Sequence, residues 1–163
     1  MNEDELAELF RRLGARDPEG WAHSQVSEGI PQLARFLFLR QAWRSIIDED
    51  DPNWIDRRMA HAAANPGEPY AGVGPALRRL RERGASTEDL TDLVRGMQAE
   101  LLFTFCYLLE DPGDIEPEVR DLAWSLVQVD DAGEALGPIT GLHESVLEMD
   151  PTGREMRPRR GAG

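Results

Sequence analysis

Lysine is absent from this 163-residue chain: all 18 basic residues are arginine. Schiff-base catalysis, a Walker-type phosphate loop and a kinase-type site each need an amine on a flexible stem. Guanidinium cannot replace that amine because it keeps its proton. Those classes are excluded. Cysteine is reduced to Cys106 alone, so a single chain can build neither an internal disulfide, a thiolate zinc cage nor an iron–sulfur cluster. A reducing, cytoplasmic setting is the expectation. Met1-Asn2-Glu3-Asp4-Glu5 is acidic where an export signal is basic and then apolar. The longest apolar run, Leu101 to Leu109 broken by Thr104 and Cys106, is about half the roughly 20 residues a membrane span needs, and it reads as a core element.

What is present is acid, unevenly placed. The net charge is −13. Residues 1–83 carry 14 acids and 12 bases, residues 84–153 carry 16 and 2, and residues 154–163 carry 1 and 4. A long stretch with so little positive charge creates a potential that repels nucleic acid and attracts cationic surfaces. The apolar content of 40% is nonetheless ordinary globular material.

Periodicity and stop signals predict a mainly α protein. The expected architecture is a single compact helical domain over residues 1–150, with about six or seven helices around two central ones. A small β-hairpin is expected near the C-terminal end, and residues 151–163 read as a basic, disordered tail. Asn2 caps a first helix striped by Leu6, Leu9, Phe10 and Leu13 and closed by Gly14. A short helix over Trp21–Glu28 is followed by a strongly apolar one over Gln32–Ile47. Asp51-Pro52 reads as a cap followed by proline at the first helical position, opening a helix to about residue 64. Pro75 starts a helix to Arg83, which Gly84 ends. Ser86 and Asp89 match a capping box that launches the longest helix, over 87–110. Its stripe of Leu90, Leu93, Val94, Met97, Leu101, Phe105 and Leu108 keeps helical spacing for six turns. Glu116-Pro117 then opens a helix to Ser125. Residues 126–136 around Gly133 read as the hairpin, and a last helix covers Leu142–Met149.

Two readings of function follow. In the first, the protein is a non-catalytic interaction module without a cofactor, binding a basic protein partner and neither nucleic acid nor membrane. Proteins that neutralise basic nucleases illustrate the physics, because opposite fields speed encounter and buried anchors then hold the complex. The contact residues expected are Asp48, Glu49, Asp50, Asp51 and Asp56, with Asp130, Asp131 and Glu134. The same Asp48–Asp51 run fails as a calcium loop, since Asn53 stands where the sixth-position glycine belongs and Met59 where the twelfth-position glutamate belongs. In the second reading, a helical bundle binds a metal or small molecule, or acts as an enzyme, through His23, His61 or His143. Glu19, Asp56 and Glu144 are the carboxylates nearest to them in sequence. No HExxH or HxxxH spacing supports a local metal site.

Other patterns have simpler explanations. Arg78, Arg79, Arg81 and Arg83 follow a glycine-bearing loop, but no strand precedes it and Leu77 replaces the third glycine of a nucleotide motif. They complement the end of their own helix. Arg35, Arg40 or Arg44 could pair with Glu100 inside the bundle as structural glue. Cys106 sits in an apolar run, where burial disfavours a thiolate nucleophile.

Overall fold

The computed structural model describes residues 1–113 and 115–159. Among them the chain is mainly helical, with seven α-helices and one two-stranded antiparallel hairpin near the C-terminal end. The expectation for the basic tail falls partly on residues 160–163, outside the described residues. The chain divides into two compact units, residues 1–43 with 102–163, and residues 44–101.

The first unit begins with α1 (Glu3–Leu13), α2 (Pro18–Glu28) and α3 (Gln32–Trp43). Asn2 and Glu5 form a reciprocal capping box that satisfies free amides at the start of α1, and Gly14 ends the helix in the left-handed region at φ 89°. Asp17 caps α2 with proline at the next position, so α2 starts one turn earlier than the pattern suggests. Leu6, Phe10, Trp21, Ala22 and Phe36 form the core. Phe10, Trp21 and Phe36 meet with ring centroids 5.4–5.9 Å apart, two of the three pairs edge-to-face, the arrangement that ring quadrupoles favour. The short α7 (Leu142–Ser145) packs against α3, and buried Trp43 donates its indole N–H to the Val146 carbonyl at 2.9 Å.

Between them, β1 (Val127–Val129) pairs with β2 (Ala135–Pro138), Gln128 opposite Gly137, with a bulge before Val129. Gly133, at φ 84°, makes the turn, while Asp130 Oδ1 accepts from the amides of Ala132 and Glu134. Residues 116–125 depart from the predicted helix: only a single 3₁₀ turn forms, over Pro117–Val119. Leu122 and Trp124 stay exposed, so a helix there has no apolar face to bury.

The second unit holds α4 (Trp54–Ala64), α5 (Val73–Glu82) and the part of α6 (Thr87–Leu108) up to Leu101. Trp54, Ile55, Leu77 and Leu90 are its core. A Cβ at Gly74 would lie 2.4 Å from the Ala62 Cβ, so only glycine allows this approach of α5 to α4. The α4 cap is Asn53, not Asp51, and the expected Asp51-Pro52 start moves accordingly: Asp51 turns back to Arg57 and to the Asn53 amide. Ser86 accepts from the Asp89 amide at the start of α6, as the motif requires.

The apolar run expected as core is not one. Leu93, Met97, Leu101, Phe103, Phe105, Tyr107 and Leu108 are exposed, whereas Thr91, Arg95, Ala99 and Cys106 are buried. Beyond Leu90 and Val94, the sheltered side of α6 carries small residues together with polar groups that have partners, and most of the bulky side chains face outward.

Candidate functional site

A polar cleft of about 250 Å³ opens in the first unit, lined by Asp17, Trp21, Gln32, Arg35, Ser145 and Glu148 among others. Asp17 comes from the α2 cap, Trp21 from α2, Gln32 and Arg35 from successive turns of α3, and Ser145 and Glu148 from α7 and the turn after it. Gln32 and Arg35 are 8% and 7% exposed. Arg35 donates Nε–H to the Thr140 carbonyl at 2.7 Å and approaches Ser145 Oγ at 3.4 Å. Among the described residues no carboxylate comes within ion-pairing distance of its guanidinium. Burial pushes its pKa down, and the fields of Glu144, Glu110 and Glu148 push back. Gln32 donates to Ser24 Oγ at 2.9 Å, while its buried Oε1 has no hydrogen-bond partner among the described residues. Glu148 accepts the Trp21 indole N–H at 3.1 Å and Asp17 accepts the Gly20 amide at 3.0 Å. The expected pairing of a central arginine with Glu100 is not what holds Arg35; a backbone carbonyl and a serine are. No spacing rule in the sequence points to this set.

The predicted acidic contact residues divide by environment. In the second unit Asp51 is held by Arg57, and that guanidinium keeps its carboxyl below the usual carboxylate range. Asp56 pairs with Arg81 at 2.8 Å. Glu49 lies 3.8 Å from Arg95, a nearly fully buried side chain that also donates to the Ile47 carbonyl at 2.7 Å. Asp48 accepts from the Asp50 amide, and both aspartates are exposed. In the first unit Asp130, Asp131 and Glu134 are exposed at the hairpin turn.

Each histidine has its own carboxylate, in no case the sequence neighbour expected. His23 faces Glu3 at 3.2 Å, His61 faces Glu68 at 3.4 Å, and His143 faces Glu110 at 3.4 Å. Glu19 is taken by Arg11. Among the described residues no group of three or more His, Cys, Asp or Glu side chains could hold a metal ion. Glu110 also accepts from the Gly141 and Leu142 amides, both at 2.7 Å, and His143 meets the Phe103 and Tyr107 rings edge-on. This cluster fastens α7 to the end of α6. Cys106 is fully buried, and desolvation with Glu110 nearby pushes its pKa up to about 11.

No helix among the described residues is long and apolar enough to cross a membrane. No protein-family model, curated protein or solved structure matches the chain.

Proposed function

We propose that this protein is a non-catalytic interaction module that binds a basic, amphipathic helical segment of a partner protein. One observation carries the reading: Leu93, Met97 and Leu101, four residues apart on α6, are 57%, 63% and 54% exposed within the acid-rich part of the chain. Side chains at that spacing stand one above the other on a helix and present an apolar stripe. Exposed Asp89, Asp92 and Glu100 flank the stripe. An apolar ridge bordered by carboxylates complements a helix with leucines at the same spacing and arginines or lysines beside them. A second copy of this chain would set acid against acid. In the first unit Asp130, Asp131 and Glu134 add to the field that draws such a partner.

The test uses a synthetic helical peptide of leucine, alanine and arginine, titrated against the full chain. Binding is expected at low ionic strength and should weaken strongly by about 0.5 M salt, where the Debye length is only a few ångströms. Replacing Leu93, Met97 and Leu101 together by serine should abolish it. Equal binding by that variant, or by a peptide with glutamate in place of arginine, refutes the reading.

A further inference from the structure

The cleft of the first unit contains groups that the interaction reading leaves unused. Its floor holds a buried guanidinium bonded to a carbonyl and a hydroxyl, and a buried amide oxygen without a hydrogen-bond partner among the described residues. Buried polar atoms are nearly always satisfied, so an orphaned Gln32 Oε1 beside an open cleft marks a place where a donor belongs. At the mouth stand two exposed carboxylates, Asp17 and Glu148, each with one oxygen holding an N–H. Trp21 supplies a flat apolar wall.

Charge decides what fits. A simple anion reaching Arg35 would meet Asp17 and Glu148 at the mouth and the fields of Glu144 and Glu110 behind the guanidinium, and a simple cation held by Asp17 and Glu148 would face that guanidinium below. A small molecule with both charges answers both ends. We propose that this cleft binds a small zwitterion of the α-amino-acid class. Its carboxylate is taken by Arg35 and Ser145, and its ammonium by Gln32 Oε1, Glu148 and Asp17. Each ammonium N–H then has an acceptor, and the arginine gains the charged hydrogen bonds that it lacks in the free protein. The volume of about 250 Å³ suits an amino acid and is below the usual range for drug-sized ligands.

Isothermal titration of the full chain with glycine, alanine, serine, aspartate and arginine, beside acetate and ethylamine, tests this directly. At least one amino acid should bind at least tenfold more tightly than acetate and ethylamine, with amide shifts in nuclear magnetic resonance spectra at Trp21, Gln32 and Ser145. Glu148→Gln, on the exposed rim, should keep the Trp21 bond and the melting temperature yet lose tenfold or more in affinity. Gln32→Met should do the same without disturbing the cleft's shape. Arg35→Met should abolish binding, and its circular dichroism will show whether the fold survives. Acetate binding as well as the amino acids, unchanged affinity in Glu148→Gln and Gln32→Met, or no binding of any amino acid at millimolar concentration would each overturn the assignment. None of these outcomes bears on the peptide stripe of α6.

Discussion

Trp54 donates its indole N–H to Thr91 Oγ1 at 2.7 Å, with both residues buried, and the Thr91 hydroxyl donates in turn to the Thr87 carbonyl at 2.7 Å. This relay joins α4 to α6 inside the second unit. Thr91→Val keeps the shape and removes the acceptor, leaving a buried N–H unsatisfied. A loss of about 1–3 kcal/mol is expected in urea unfolding, with Thr91→Ser close to wild type. Equal stability of the valine variant would show that water reaches the indole.

Glu110 uses both carboxylate oxygens on the Gly141 and Leu142 amides. Glu110→Gln puts an NH₂ group against one of those N–H groups, so a loss of about 1–3 kcal/mol is expected. Faster hydrogen exchange at Gly141 and Leu142, measured site by site, would locate the loss there.

Asp51 has a lowered pKa in the folded protein because Arg57 binds its ionised form. A depressed folded value means that the contribution is complete above the unfolded value and disappears as pH falls through the folded one. Asp51→Asn should therefore flatten the acid limb of a stability-against-pH curve relative to wild type. The difference should shrink in high salt, since the pair is solvent-accessible.

Cys106 has the opposite sign. With its folded pKa raised to about 11, the unfolded chain ionises first, near pH 8.5. Stability should fall as pH rises above that point, and Cys106→Ala should remove this part of the slope. Iodoacetamide at pH 8 should label native protein far more slowly than urea-unfolded protein, as read by mass spectrometry.

Several local signals were legible, although the Asp51-Pro52 and Glu116-Pro117 starts were not among them. Asn2 with Glu5, Gly14, Ser86 with Asp89, and Gly133 each satisfy or release backbone within a few residues, and the elements they mark form. Long-range capture was not legible. The helix predicted to Ile47 stops at Trp43, and Gln98 takes the Ile47 amide at 2.9 Å while Arg95 takes its carbonyl. Past Glu116, Trp124 bonds the Leu108 carbonyl and the chain leaves helical geometry. The stripe on α6 was visible as a period, but a period does not say which side is covered. At the polar cleft, Gln32 and Arg35 line one space with Ser145 and Glu148, more than 100 positions later, a distance that no motif spans.

Arg16, just after α1, donates to the carbonyls of Glu148 and Asp150, more than 130 residues away. With Trp43 on Val146 and Arg35 on Thr140, α3 takes partners from a stretch more than 100 residues later in the chain. During synthesis α1–α3 leave the ribosome with the aromatic core of Phe10, Trp21 and Phe36 already available, while Arg16, Arg35 and Trp43 wait for the carbonyls of residues 140–150. A nascent chain stalled before residue 140 should therefore pack α1–α3 yet leave the backbone after Arg16 more open to protease than it is in the full chain.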